Sequence, residues 1–335
     1  MKFRPSMRLF AAMACVAILV ACGSPSSPSA QGAPTAKITL GFSAWPGWFP
    51  WQVAQEQGLF AKNKVDVELK YFDSYTDSLN ALATGAIDAN SQTLNDTLAS
   101  VSGGAKQTIV LVNDNSTGND QIIAAQGINS VADLKGKKVA VEQGTVDHYL
   151  LLLALAQGGL SEKDIQLVPL TTDAAAAAFA AGQVDAVGAF APFITTALAR
   201  PGSRAVATSA QFAGAIPDHL VVSAALAKDH PTEVQAMVNT WYDTLAWIKD
   251  NKDAAIDIMA KRAGVSAADY RTYDAGTTIF THQQNLEAFA TGTTPEHLDY
   301  QANKIADFLV STGLAKERPS MDGLFDDRFV KAVPA

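Results

Sequence analysis

The feature that most constrains the fold is a regular alternation of short apolar runs, typical of strands, with amphipathic segments, typical of helices. The runs that predict strands are Ile38–Phe42, Val65–Phe72, Ile109–Asn113, Lys138–Glu142, Gln166–Pro169 and Ala186–Phe190. The segments that predict helices between them are Trp51–Phe60, Thr76–Ala83, His148–Gln157 and Ala174–Ala181. Because such helices let successive strands run in the same direction, this order predicts an α/β protein with parallel sheets. After about Thr232 the pattern becomes helix upon helix, which predicts a helical C-terminal region.

Two similar octapeptides indicate an internal repeat. Leu82–Ala89 reads LATGAIDA and Phe179–Ala186 reads FAAGQVDA, so each has a helix end, a glycine and then a short β-type run. The simplest alternative is that both are examples of a common turn between a helix and a strand. That alternative does not account for their context, because each octapeptide follows a strand and a helix in the same order. The repeat therefore predicts two similar α/β lobes.

Composition excludes several classes of protein. The chain has 335 residues, 48% hydrophobic and 17% charged, which is too apolar for a disordered segment and too polar for a protein with many membrane spans. Its 33 acidic side chains outnumber the 25 Lys and Arg, giving a net charge of −8. A nucleic-acid partner is not expected, because binding phosphates requires a basic surface.

The N-terminus predicts export from the cytoplasm. Residues 1–21 combine a basic start with an apolar run that is short for a bilayer span, which is the pattern of a signal peptide. Their removal makes the net charge of −8 more negative by three, because they hold three basic and no acidic side chains. Residues 22–36 are rich in Ser, Pro, Gly and Ala, a composition typical of a flexible tether.

The segment Leu19–Gly23 reads LVACG and resembles the bacterial lipobox, in which the cysteine, here Cys22, receives lipid and becomes the new N-terminus. The resemblance implies a lipoprotein held on a bacterial membrane, in the periplasm or on the outer face of the cell membrane. The alternative is an ordinary signal peptide cleaved elsewhere, which would leave Cys22 as a free thiol. With Cys22 lipidated and Cys15 removed, the mature chain has no thiol for catalysis, metal binding or a disulfide.

Several segments resemble the solute-binding proteins of ABC importers, in the group that binds nitrate, taurine, aliphatic sulfonates and thiamine precursors. Besides the two octapeptides they are Gly41–Trp48 (GFSAWPGW), Gly58–Lys62 (GLFAK) and Ser130–Val141 (SVADLKGKKVAV). Three segments resemble, more narrowly, a subgroup found with urea-carboxylase-type genes and associated with guanidine uptake. They are Trp45–Trp48 (WPGW), Asn113–Asp120 (NDNSTGND) and Glu142–His148 (EQGTVDH).

The resemblance implies the two-lobed periplasmic-binding-protein fold of type II, with a two-stranded hinge. Lobe 1 would be residues 37–122 plus 219–335, lobe 2 would be residues 123–218, and the crossing strands would be Gln121–Ala125 and His219–Ser223. It also implies a monomer that delivers its solute to the transmembrane subunits of a permease driven by a cytoplasmic ATPase. Neither a cofactor nor a metal is implied, and the histidines lack metal-ligand spacing.

The candidate binding residues lie in loops that follow predicted strands, where ligands of open α/β sheets sit. These loops contain acids and amides but no Lys or Arg, which favours a cation or a neutral amide-like donor over an anion. Carboxylates would accept N–H bonds, and Trp45, Trp48 and Phe190 would stack on a planar cation. The full candidate set is Trp45, Trp48, Asp73, Thr93, Asp96, Asn119, Asp120, Glu142, Asp147, His148 and Phe190.

Several candidates have a purely structural alternative. Asp96 and Asp147 precede helical runs, where aspartate is a good N-cap, and Asp120 could brace the crossing strands. His148, in a first helical turn, could act from behind the residues that touch the ligand. Glu142, at the end of a strand, has no capping duty that the sequence reveals.

The predicted function is therefore capture of a small nitrogen-containing solute, guanidinium or urea-like, by an importer's binding protein without catalysis. The same role for a small anion (taurine, an alkanesulfonate or nitrate) or for a thiamine pyrimidine precursor remains open. Two further alternatives are a pyrimidine-synthase-like enzyme and a sensory lipoprotein. The enzyme is disfavoured because its relatives use a cysteine-rich motif that this chain lacks.

Overall fold

The computed structural model describes residues 36–334. The predicted signal peptide, Cys22 and all of the tether except Ala36 lie outside these residues.

Eleven strands and fourteen helices make up residues 36–334. The strands are β1 Lys37–Phe42, β2 Asp66–Tyr71, β3 Ala89–Thr93, β4 Gln107–Ser116, β5 Asp120–Ala124, β6 Lys138–Val141, β7 Gln166–Pro169, β8 Ala186–Phe190, β9 Arg204–Thr208, β10 Pro217–Ser223 and β11 Thr277–Ile279. The helices are α1 Pro50–Glu56, α2 Leu59–Lys62, α3 Tyr75–Ala83, α4 Leu94–Ser102, α5 Val146–Gln157, α6 Thr172–Ala180, α7 Phe193–Leu198, α8 Ala224–Asp229, α9 Pro231–Asp250, α10 Lys252–Ala263, α11 Ala267–Arg271, α12 His282–Ala288, α13 Leu298–Thr312 and α14 Arg328–Lys331.

The strands form two sheets with the same internal order. The first sheet runs β2-β1-β3-β10-β4 with β11 added at the edge, and the second runs β7-β6-β8-β5-β9. In each sheet the first three strands are parallel, and the fourth is antiparallel to both of its neighbours. The predicted α/β class with two similar lobes is therefore confirmed.

The repeated octapeptides have the same structural role in both lobes. Each ends its helix with a glycine in the left-handed conformation, at φ 75° in the first and 76° in the second. The aspartate that follows then binds the second strand in the order of its own sheet, β1 or β6. The carboxylate of Asp88 accepts the amide of Thr39 at 2.8 Å, and that of Asp185 accepts the amide of Lys138 at 2.9 Å. The match between the octapeptides thus reflects a shared structural role.

The chain changes sheet twice within the described residues. It leaves the first sheet after Ser116 and joins the second at Asp120, and it returns between Thr208 and Pro217. The predicted crossing segments, residues 121–125 and 219–223, instead lie almost wholly within β5 and β10, just after the crossings. An apolar run indicates a strand but not the sheet with which that strand pairs. The sequence-based prediction therefore placed both crossings a few residues too late in the chain. The lobe limits at residues 122 and 218 remain a prediction.

The predicted helix Trp51–Phe60 is two helices, because Gly58 adopts φ 67° between α1 and α2. The helical C-terminal region is confirmed, because the chain after about Thr232 is mainly helical and its longest helices there are α9, α10 and α13. This region packs on the first lobe through fully buried aromatics. The indole rings of Trp241 and Trp51 lie 4.8 Å apart, and the Trp51 N–H donates to the hydroxyl of Ser91 at 2.9 Å.

Leu40, in the middle of β1, is fully buried. We expect Leu40→Ala to lower the free energy of unfolding by about 2–5 kcal/mol, because it removes buried methyl groups and leaves a cavity. Leu198→Ala is the matched control, since Leu198 is 43% exposed, and it should change stability by less than about 0.5 kcal/mol. Thermal unfolding measures both and avoids denaturants that are themselves candidate ligands. Equal effects of the two substitutions would contradict this assignment of the core.

Candidate ligand-binding site

A small cavity lies between the two sheets. It is reached by the carboxyl ends of β1, β3 and β8 and by the amino ends of the antiparallel strands β5 and β10. Its lining residues are Ala44, Trp45, Trp48, Tyr75, Thr93, Asp120, Val146, Phe190, Ile216 and Asp218. It encloses about 220 Å³ of space free of protein atoms, its mouth included. Little of this space lies far enough from the wall to hold a whole molecule, so the cavity is narrow and suits only a solute of few heavy atoms.

Four aromatic side chains belong to the apolar part of the cavity wall, beside Ala44, Val146 and Ile216. The ring centroid of Trp45 lies 6.5 Å from that of Trp48 and 6.2 Å from that of Phe190. The ring of Tyr75 lies 5.4 Å from Trp48 and 6.3 Å from Phe190, which closes the circuit. Such a ring of π-faces is suited to hold a cation or a flat solute.

The Trp-Pro-Gly-Trp loop is held in place by a buried carboxyl group. The indole N–H of Trp45 donates to Oδ1 of Asp114 at 2.9 Å. A methyl group added at Gly47 would lie 1.8 Å from Oδ2 of the same side chain, so only glycine allows the loop to approach so closely. Asp114 therefore positions both tryptophans from behind the cavity.

Carboxyl groups from both lobes reach the cavity. Asp120 begins β5 in the second sheet, whereas Asp218 lies near the start of β10 in the first, directly opposite Asp114 of β4. All three side chains are buried. Four of their oxygens, Oδ2 of Asp114, Oδ2 of Asp120 and both of Asp218, receive no hydrogen bond from any other kind of group among the described residues. Asp114 and Asp218 can hydrogen-bond each other when one of them is protonated. No Lys or Arg belongs to the described lining, so the cavity offers unused acceptors for a donor-rich ligand.

Burial makes these groups resist ionisation. It raises the pKa of Asp120 to about 7. The pKa values of Asp114 and Asp218 also lie above the ordinary range, first because of burial and then because of neighbouring carboxyl charges. A bound cation would offset both effects.

Two further predicted acids, Asp96 and Asp147, lie in the first turns of α4 and α5 but are not the N-caps, and both accept hydrogen bonds from threonines. Thr93 is the N-cap of α4, and its hydroxyl donates to Oδ2 of Asp96 at 2.7 Å. Burial raises the pKa of Asp96 to about 7. Asp147, in the first turn of α5, lies 2.6 Å from the hydroxyl of Thr172, and its Oδ1 is unpartnered. As ligand contacts, Asp96 and Asp147 remain predictions.

Asn119 and His148 have their polar atoms engaged elsewhere, and neither lines the cavity. The amide of Asn119 donates to the carbonyl of Tyr273 and to the hydroxyl of Thr277, both at 2.7 Å, which ties the first crossing to the first lobe. The ring of His148 accepts the amide of Gly144 at 3.3 Å, and its Nε2 lies 2.9 Å from the carboxylate of Glu162.

Glu142 and Asp73 lie beside the cavity. Both border a second small space that adjoins it, where Tyr75 and Phe190 belong to the walls of both. Asp73 is exposed there. Both oxygens of Glu142 accept hydrogen bonds from protein groups, of Thr76 on one side and Thr172 on the other.

Five of the predicted residues therefore line the cavity, namely Trp45, Trp48, Thr93, Asp120 and Phe190. The prediction missed Asp218 because it considered only carboxyl ends of strands, whereas β10 is antiparallel and brings its amino end to the cavity. Tyr75, the first residue of α3, comes shortly after the predicted strand Val65–Phe72 and two residues after the candidate Asp73. An aromatic residue at that place was the available signal.

Comparison with known proteins identifies the family. Residues 31–264 match the NMT1-like family. The chain belongs to this family. One relative, a binding protein of Brucella abortus (strain 2308), is 32% identical over 227 residues, or 66% of this chain and 69% of the relative. The taurine-binding periplasmic protein of Escherichia coli (strain K12) is 27% identical over 248 residues, or 70% and 76% of the two chains.

Solved structures confirm the two-lobed periplasmic-binding-protein fold of this NMT1-like protein. The alkanesulfonate-binding protein of Xanthomonas axonopodis pv. citri, bound to MOPS, superposes with a TM-score of 0.75 at 22% identity, covering 88% of this chain and all of that one. The desulfurization enzyme DSZB superposes with a TM-score of 0.63 at 19% identity, covering 88% and 98%. The fold thus occurs in an enzyme, but the sequence relatives are binding proteins, which confirms the prediction of a binding protein.

The broader resemblance to solute-binding proteins is confirmed, whereas the guanidine-type subgroup remains a proposal. Helices long and apolar enough to cross a membrane are not found among residues 36–334. That part of the chain also holds no group of three or more His, Cys, Asp or Glu placed to bind a metal ion.

The buried acids predict an unusual pH dependence of stability. Asp96 and Asp120 have a pKa of about 7 in the folded protein, above the value near 4 expected in the unfolded chain. Between about pH 4 and pH 7 the folded state therefore binds more protons than the unfolded state. The free energy of unfolding of the ligand-free protein should therefore fall as the pH rises from about 4 to 7, by up to roughly 1.4 kcal/mol per pH unit for each such group.

Thermal unfolding across this pH range tests the expectation. Asp120→Asn should flatten the dependence, whereas Asp77→Asn, at an exposed position on α3, should leave it unchanged. An identical slope in wild type and Asp120→Asn would show that Asp120 does not titrate in this window.

Proposed function

We propose that this chain is the extracytoplasmic solute-binding component of an ABC importer, and that its solute is guanidinium or a close nitrogen-rich analogue. One observation carries the choice of solute. Buried Asp120 and Asp218, from opposite lobes, bring unpartnered carboxyl oxygens to a cavity with no basic residue in its described lining. The small volume and the aromatic wall support the same choice.

Guanidinium matches this arrangement chemically. It is planar and carries N–H donors around its whole edge, which paired carboxylate oxygens accept at short range. Asp120 and Asp218 would accept these bonds, while the faces of Trp45, Trp48 and Phe190 would contact the flat cation. Closing the two lobes then brings both acids to one solute, which couples closure to capture.

An acceptor-bearing solute is the second candidate. The indole N–H of Trp48 is buried without an acceptor among the described residues, and the carbonyl of urea or a sulfonate oxygen would provide one. Sulfonate and taurine also appear in the names of relatives. A purely anionic solute is disfavoured because it would meet Asp120 and Asp218 without a basic residue nearby. Taurine carries an ammonium group besides its sulfonate, so it is the stronger anionic candidate.

Location and partners follow from the same role. The periplasmic relative supports a place outside the cytoplasm. We propose that Cys22 carries the lipid anchor, because it ends a signal-like segment and precedes a tether. The partners would then be the transmembrane subunits of a permease, reached by a monomer on the membrane surface.

Isothermal titration calorimetry of the purified protein tests the solute. Guanidinium, urea, taurine and nitrate should be titrated at neutral pH. We expect guanidinium to bind at least tenfold more tightly than urea, because only the cation offsets the buried acids. Tight binding of taurine or nitrate without a response to guanidinium would overturn the cationic assignment.

Substitution of the two lining acids tests the site. Asp120→Asn and Asp218→Asn should each weaken guanidinium binding by about 2–5 kcal/mol, the usual cost of removing one partner of a buried charged pair. Asp77→Asn should leave the affinity within about 0.5 kcal/mol of wild type, because that residue is exposed and outside the cavity. Unchanged or improved guanidinium binding in both lining variants would remove these acids from the site.

A further inference from the structure

Glu142 accepts hydrogen bonds from both lobes at once. Its Oε1 accepts the backbone amide of Thr76 at 3.0 Å and the hydroxyl of Thr76 at 2.6 Å. Its Oε2 accepts the amide of Thr172 at 3.2 Å and lies 2.9 Å from the hydroxyl of Thr172, which Asp147 also approaches. A carboxylate has about four acceptor positions, so these donors use its capacity.

The two threonines belong to different lobes. Thr76 lies in the first turn of α3, which follows β2 of the first sheet, and Thr172 begins α6, which follows β7 of the second. Glu142 itself follows β6 of the second sheet. Its carboxylate thus lies at the N-termini of two helices, where the helix dipole favours a negative charge. Of these contacts, only those to Thr76 depend on the two lobes being close.

Glu142 is not part of the cavity lining. Tyr75 and Phe190 lie on the boundary between the cavity and the space that Glu142 borders. A role for Glu142 in binding would therefore act through the position of the lobes.

We propose that Glu142 is a positioning residue that holds the lobes closed through Thr76 and so sets how long the solute stays bound, without touching the solute. When the lobes open, the hydrogen bonds between Glu142 and Thr76 break, because Thr76 moves with the first lobe. The contacts between Glu142 and Thr172 remain, because both residues belong to the second lobe. The proposal rests on the two-lobed arrangement and goes beyond the proposed function, because it holds for any solute enclosed by closure.

Thr76→Val tests the contact, since valine keeps the shape of the side chain but removes the hydroxyl donor. We expect the dissociation rate constant of guanidinium to rise about 10- to 100-fold, the equivalent of one hydrogen bond to a charged acceptor. The association rate constant should stay within about twofold, because closure follows the encounter. Stopped-flow fluorescence of the cavity tryptophans measures both rates. Glu142→Gln should act in the same direction, since its amide would face one pair of donors.

Thr84→Val is the matched control. Thr84 ends the same helix, and its hydroxyl bonds only to carbonyls within that helix, so both rate constants should stay within about twofold of wild type. A wild-type dissociation rate in Thr76→Val would overturn the proposal.

Taurine is the second probe and separates this proposal from the choice of solute. If the contact between Glu142 and Thr76, which we call the latch, lies outside the cavity, its loss changes the dissociation rate constant of any bound probe by the same factor. If Glu142 touched the solute, Glu142→Gln would weaken cationic guanidinium and spare or strengthen taurine, which would also overturn the proposal.

A third measurement needs no solute, so it decides the matter even if neither probe binds and the proposed function fails. Double electron–electron resonance between spin labels attached at the exposed positions of Asn80 and Lys163 reports the distance between the lobes. Thr76→Val should lower the ratio of closed to open molecules about 10-fold or more relative to Thr84→Val. Equal closed fractions would contradict the latch.

Discussion

Three buried carboxyl groups between the lobes are the constraint on which the rest of the site depends. Asp114, Asp120 and Asp218 lie close together without a basic residue in the described cavity lining. Burial raises the pKa of all three, and neighbouring carboxyl charges raise those of Asp114 and Asp218 further. Buried charge is costly in free energy unless it is paired. A positively charged or donor-rich ligand would therefore stabilise these carboxyl groups in the cavity. For Asp114 the indole N–H of Trp45 donates one such hydrogen bond. This bond also holds the Trp-Pro-Gly-Trp loop in place at the cavity wall.

The topology explains why the acids meet. In each sheet the strand that directly follows a crossing between the lobes, β5 or β10, runs antiparallel to both of its neighbours. The amino ends of these two strands therefore lie at the cleft, and each carries an aspartate there. The crossing and the binding site share the same few residues. Closure and the assembly of the cavity are for this reason one event.

Helix N-termini around the cleft attract negative charge, and in many proteins they bind anions. In this chain two of them, those of α3 and α6, already hold the carboxylate of Glu142. That arrangement removes two sites from an anionic solute and uses them to join the lobes. We therefore propose two separate purposes for acids among the described residues, selection of the solute inside the cavity and closure of the lobes beside it.

The sequence by itself determined the α/β class, the two similar lobes, the helical C-terminal region and five of the residues that line the cavity. These follow from local periodicity and from the repeated octapeptide, whose aspartates make matching bonds in both sheets. Only the tertiary structure decided which acids meet. Asp218 reaches the cavity because β10 runs antiparallel, and Glu142 lies beside it because two helix N-termini converge there. Strand direction and helix convergence arise from pairing between distant segments, and a residue's neighbours in sequence do not encode them.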